Sequence, residues 1–211
     1  MIRTMALILA CTVATTASAS QFASDFSGQT DRVWIGADYW ANPMEDWSLK
    51  DGRLLCRGGG NRNVALLTRS VTGNGPFEIS VRFGQVQQGE ALGTAGLRLG
   101  IRDEIDDHRA AALRGKGLDV GVDTRARSLF IGKNSGGALP ESGPLNDWTL
   151  TITGKPSGTR IALKLTAVDS EGNRQTSIDA QLPADRVQGL VALVNNHSTN
   201  DKPAFWFANY L

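Results

Sequence analysis

The segment Glu104-Ile105-Asp106-Asp107-His108 holds the most concentrated chemistry in the chain. Side chains two apart on a strand project from one face, so Glu104 and Asp106 are the candidates for a pair of catalytic carboxylates. The flanking Arg102, Asp103 and Asp107 also suit a charged turn between two strands. Other reaction types find less support. His108 and His197 lie far apart and lack the HxH, HExxH or CxxC companions of a catalytic zinc site. Cys56, between Leu55 and Arg57, reads as a small buried hydrophobe. No GxSxG elbow is present, and Gly58-Gly59-Gly60 leads into Asn61-Arg62-Asn63, which suits a turn and not a phosphate cradle opening a helix.

Two groups of residues suit recognition better than reaction. Trp34, Tyr39, Trp40 and Trp47 crowd into a loop-rich stretch. Exposed indole faces stack on sugar rings while neighbours such as Asn42 bond the hydroxyls, and the same rings can instead seal an apolar core under a long loop. Trp148 and Trp206, on strand-like segments, read as core. Arg98, Arg102, Asp107, Arg109 and Lys116 form the second group. Arg98 and Arg102 are expected on the polar face of one strand, where a guanidinium fork can grip a carboxylate, a sulfate or vicinal hydroxyls. Alternatively these arginines are salt-bridged to Asp106, Asp107 or Asp119.

The elements that must position these groups are strands. Phe77, Ile79, Val81 and Phe83 alternate with Glu78, Ser80 and Arg82; Leu97, Leu99 and Ile101 alternate with Arg98 and Arg102; Ile161, Leu163 and Leu165 repeat the pattern. Each run is a ribbon with one apolar side that must be stacked on another. Turn clusters such as Thr72-Gly73-Asn74-Gly75-Pro76 separate the runs, and the 24 glycines favour many short strands. Strands are expected near 22–26, 47–49, 53–57, 65–70, 77–86, 95–102, 109–114, 118–123, 128–132, 148–153, 160–168, 176–181, 189–195 and 204–210. Segments 31–45 and 134–146 read as loops, and 183–187 as the single helical turn, with Pro183 at its start. With no internal repeat and no linker, residues 20–211 form one all-β domain, a two-layer antiparallel β-sandwich.

The C-terminal third carries a resemblance. Leu182-Pro-Ala-Asp-Arg-Val-Gln-Gly-Leu-Val-Ala-Leu-Val-Asn-Asn-His197, followed by Phe205-Trp-Phe-Ala-Asn-Tyr210, resembles the closing segment of concanavalin A-like lectin/glucanase (LamG-like) jelly rolls, with Asp25-Phe26 as the matching first strand. A narrower resemblance runs through Tyr39-Trp40-Ala41-Asn42-Pro43-Met44-Glu45-Asp46-Trp47, Gly60-Asn61-Arg62-Asn63-Val64 and Asp106 to Leu118. These stretches are similar to the jelly roll preceding a metallophosphatase in secreted alkaline phosphatase D-like proteins. The resemblance implies a jelly-roll fold and glycan binding, alone or as the accessory or structural module of a larger enzyme such as a downstream metallophosphatase domain. Laminarinase-type members carry Glu-x-Asp-x-Glu on one strand; here His108 stands at the third position, which leaves a glycoside hydrolase or lyase as the alternative reading. By the same analogy a structural Ca²⁺ would sit near the paired terminal strands, with Asp25 and Asn209 as its first ligands; no other cofactor is implied.

Destination follows from the N-terminus. Arg3, the apolar stretch Met5 to Ala17 and the small-x-small site Ala17-Ser18-Ala19 read as a secretory signal peptide over residues 1–19, so a secreted or periplasmic protein is expected. Cleavage there removes Arg3 and brings the 22 Lys and Arg level with the 21 Asp and Glu. A chain without net charge has no basic excess for nucleic acid or an anionic membrane surface. No later apolar run approaches the roughly 20 residues of a membrane span. Cys11 leaves with the signal, so Cys56 has no intrachain disulfide partner and stability must come from the core.

Overall fold

The computed structural model describes residues 21–86, 92–105, 107–143, 145–198 and 202–211. In chain order the strands are β1 (Tyr39–Ala41), β2 (Trp47–Lys50), β3 (Arg53–Cys56), β4 (Gly60–Val71), β5 (Phe77–Gln85), β6 (Gly93–Arg102), β7 (Lys116–Asp123), β8 (Ser128–Ile131), β9 (Asn134–Ala138), β10 (Trp148–Ser157), β11 (Arg160–Asp169), β12 (Gln175–Pro183), β13 (Gly189–His197) and β14 (Phe205–Ala208). They form two antiparallel seven-stranded sheets, ordered β1-β4-β13-β6-β7-β8-β9 and β12-β11-β10-β5-β14-β3-β2. Crossings between sheets, such as β4 to β5 and β13 to β14, give the sandwich its jelly-roll character.

One apolar layer joins the sheets. From the first sheet come Val64, Leu66, Leu97, Leu99, Val120 and Leu193, and from the second Val81, Phe83, Leu150, Ile152, Leu163, Leu165 and Phe207. The alternation on β5, β10 and β11 dictates this, since every second residue is apolar and only one face can be buried. Tyr39, Trp47 and Trp148 are buried in the same layer. Trp206 is buried too, but the guanidinium of Arg53 stands 4.3 Å from its ring centroid and that of Arg82 6.0 Å. Cation–π contact of this kind is worth about 0.5–2 kcal/mol.

Four local expectations are corrected. The segment expected as a strand over 109–114 is the helix α1 (His108–Arg114), because Asp107 caps it and Ala110-Ala111-Ala112 favours helix. The strand expected over 22–26 is reduced to a single bridge between Ser24 and Tyr210. The segments expected as loops contain β1 and β9. Finally, Ile101 does not share a face with Leu97 and Leu99: Gly100, at φ +69°, lies where the pairing of β6 with both neighbours shifts register. The bulge turns Ile101 onto the outer surface of the sheet, where it packs with Ala65, Ala111, Ala112 and Ala192. The helical turn expected at 183–187 is the 3₁₀ turn Ala184–Val187, and a second such turn covers Met44–Asp46. Among the described residues no helix is long and apolar enough to cross a membrane.

Candidate functional site

One row of side chains crosses five strands on the outer face of the first sheet. Trp40 pairs with Ala65, Ala65 with Ala192, Ala192 with Arg98, and Arg98 with Asp119. The inward face belongs to Val64, Leu97 and Leu193, so this row must face outward. Helix α1 lies over its middle, setting Ala111 and Ala112 on Ala65 and Ala192, with Trp40 half-buried at the margin. The amide Nδ2 of Asn63 donates to the Ala112 carbonyl at 3.1 Å and pins the helix. At its start the Asp107 carboxylate accepts from the Arg109 N–H at 2.9 Å and from the Arg109 guanidinium at 3.1 and 3.2 Å, which holds the carboxyl down at about 2. At its end the Gly115 N–H donates to the Ala111 carbonyl at 2.8 Å. A Cβ on residue 115 would come within 2.4 Å of that oxygen, so the chain can leave the helix here only through glycine.

Beyond that exit a cleft of about 390 Å³ opens, lined by Arg98, Leu113, Gly115, Gly117, Leu118, Asp119, Gly132 and Arg186. Arg98 spans it in a fixed plane. Its Nε donates to Asp119 Oδ1 at 2.6 Å, and its Nη2 to Asp119 Oδ2 at 2.9 Å and to Asn61 Oδ1 at 3.2 Å. The stem lies against Gly117, where a Cβ would approach Arg98 Cγ and Cδ to 2.8 Å. A second cleft of about 310 Å³, lined by Arg102, Asp103, Glu104, Ile105, Gly115 and Lys116, adjoins through Gly115. The pair offers donors from three arginines and acceptors from carboxylates over a glycine floor, a surface suited to hydrogen-bonding hydroxyl- or acid-bearing ligands.

The structure therefore brings Arg98, Arg102, Glu104 and Lys116 to two joined clefts, with Asp107 and Arg109 on the helix that walls them. Of the ion pairs anticipated for Arg98 and Arg102, that of Arg98 with Asp119 is formed, and Asp107 pairs with Arg109. Arg102, turned by the Gly100 bulge, instead reaches Asp185 at 3.4 Å and Gln188 at 3.3 Å. Glu104 sits in an exposed turn, and Asp106 lies outside the described residues, as do residues 1–19 with the expected signal peptide. Asn42 is exposed just past β1. Of the aromatic group, Trp34 alone is largely exposed, at 58%, with the Arg32 guanidinium 5.8 Å from its ring. Asp25 and Asn209 flank the Ser24–Tyr210 bridge, as the pairing of terminal segments requires. Both Asp25 oxygens accept from Ser27, and no group of three or more Asp, Glu, His or Cys gathers among the described residues. Arg186 and the two glycines of the floor, Gly115 and Gly117, escaped sequence reasoning; glycines two apart at the mouth of a strand were the available signal.

Two reactive side chains are withdrawn into the core. Cys56 is fully buried, and burial pushes its thiol up to about 12, which keeps it protonated. His197 is also buried, and desolvation lowers its pKa, with Arg62 adding to the effect. Since the unfolded imidazole titrates near 6.5, the folded protein binds fewer protons below that value. Stability contributed by neutral His197 is thus full above about pH 6.5 and is lost as pH falls toward the folded pKa. The melting temperature is expected to drop between pH 7 and pH 5, and His197→Gln to flatten that slope; an unchanged slope would refute the assignment.

The fold has close counterparts in form and none in sequence. Lectin I from Ulex europaeus in complex with the methyl glycoside of α-L-fucose superposes with a TM-score of 0.58 at 10% identity, covering 90% of this chain and 95% of that one. The metal-free Emp46p carbohydrate recognition domain gives 0.57 at 13% identity, covering 89% and 93%. Arcelin-5, a lectin-like defence protein from Phaseolus vulgaris, gives 0.55 at 11% identity, covering 86% and 97%. The chain has the concanavalin A-like jelly-roll fold of these lectins. No protein-family model and no curated protein matches its sequence.

Proposed function

We propose that this chain is an exported, non-catalytic carbohydrate-binding module, acting alone or as the accessory domain of a larger enzyme, a downstream metallophosphatase being the partner implied by its sequence resemblance. The observation that carries the binding reading is the cleft beside α1, where Arg98 is clamped by Asp119 and Asn61 over glycine backbone. Such a fork is pre-organised, so a ligand does not have to order it. The lectin form of the sandwich supports the reading by analogy of fold. Export rests on Arg3, the apolar Met5 to Ala17 and the small residues to Ala19. The test is a glycan array and a polysaccharide pull-down, with and without calcium, using protein recovered from the exported fraction. An N-terminus at Ser20 and at least one saturable glycan ligand are expected. Retention of residues 1–19 would overturn export, and a blank array in both conditions would overturn glycan binding.

A further inference from the structure

The charges lining the first cleft do not cancel. Arg98 is spent on Asp119, and Arg102, next door, reaches Asp185. Arg186 lines the same cleft as Arg98, is exposed, and forms no ion pair among the described residues. Lys116, in the adjoining cleft, forms none either, while Asp103 and Glu104 face it there. The first cleft thus holds two guanidinium groups against the single carboxylate of Asp119.

Arg186 stands there for a structural reason. It belongs to the 3₁₀ turn Ala184–Val187, whose Val187 is fully buried in the core. The turn is pressed against the bulge in β6: a Cβ on Gly100 would lie 2.4 Å from the Arg186 carbonyl oxygen. The backbone of Arg186 is therefore fixed by the same irregularity that turns Arg102 away. Arg98, for its part, commits Nε and Nη2 to protein acceptors and leaves Nη1 uncommitted among the described residues.

We propose that the first cleft selects an anionic saccharide, with a carboxylate or sulfate oxygen pair seated between the Arg186 guanidinium and Nη1 of Arg98. This rests on the carbohydrate-binding reading and narrows it to acidic sugars. A neutral sugar would leave Arg186 without a counter-charge, whereas an acid group gains charge-assisted bonds from both forks. The cleft is near the lower end of the range for small-molecule sites, about 300–1,000 Å³, so it takes a chain end or short branch.

The test uses matched pairs by calorimetry: polygalacturonate against its methyl ester for carboxylate, and a sulfated galactan against its desulfated form for sulfate. The native protein is expected to bind one acidic member at least about tenfold more tightly than its neutral partner, with the preference weakening as salt is raised. Arg186→Gln is expected to erase the preference with no change in melting temperature. Arg125→Gln, which removes the same charge from the turn after β7, leaves the preference in place. Equal binding of both members, or a preference that survives Arg186→Gln or falls equally with Arg125→Gln, overturns the acidic-sugar inference alone. If no saccharide binds, here or on the array, the carbohydrate reading falls with it.

Discussion

Trp47→Ala lowers the unfolding free energy by about 3–5 kcal/mol, the cost of emptying a large aromatic site in a packed core. Trp47 opens β2 at the edge of the second sheet, is wholly buried, and faces Phe207 with ring centroids 6.4 Å apart. Its cross-strand partner is Cys56, a residue of modest volume. The surroundings include the β14 aromatics, which belong to a central strand and cannot collapse into the void without breaking their pairing with β5. Trp47→Phe separates packing from polarity. The indole Nε1 is buried and donates to no acceptor among the described residues, and an unmet buried donor carries a cost of about 1–3 kcal/mol. Phenylalanine removes that donor while keeping most of the ring, so its penalty is expected at less than half that of alanine. Urea denaturation midpoints at constant slope measure both. A Trp47→Ala penalty below about 1 kcal/mol, small for a core truncation, would show that β2 and β3 do not anchor the sandwich, and equal penalties for the two variants would show that the indole N–H is bonded.

The core built by β5 and β11 was legible in the sequence because strands bury alternate residues, whereas Trp47 was open to either reading. Val81, Phe83, Ile161, Leu163 and Leu165 all fall on the face their spacing assigns. Legibility fails where the period breaks. A helix of seven residues, His108–Arg114, is too short to display a 3.6-residue repeat, and Arg109 with Leu113 and Arg114 can pass for the ends of a strand. The signals that would have found it are the capping aspartate before it and three successive alanines within it. The switch of Ile101 to the outer face depends on Gly100 adopting φ +69°. Many glycines could have done so, and no local pattern singles this one out. The site suffers most from these two gaps, since α1 walls the clefts and the bulge places both Arg102 and Arg186. Arg98, Arg102 and Lys116 were visible as residue types and Asp119 as a partner for Arg98; Arg186, and the pairing of Arg102 with Asp185 across 83 residues of chain, were not.

Arg98→Ala is expected to weaken glycan binding by about ten- to a hundredfold, the worth of one to two charge-assisted hydrogen bonds. The melting temperature is expected to move little, because the pair with Asp119 is partly open to water and such pairs contribute about 0–1 kcal/mol. A loss of affinity without loss of stability is the signature of a recognition residue. Arg98→Lys retains the charge but cannot bond Asp119 through two nitrogens while offering a third to a ligand, so it is expected to bind nearly as poorly as the alanine variant. Gly117→Val approaches the same result from the backbone side. Its Cβ would intrude on the Arg98 stem at 2.8 Å, and since that stem is flexible it will swing away and carry the guanidinium out of plane. Three substitutions, one removing the fork, one replacing it and one displacing it, should therefore converge on one affinity by calorimetry. Full binding by Arg98→Lys together with Gly117→Val would leave only the charge of Arg98 in play and discard its pre-organised geometry as the basis of recognition.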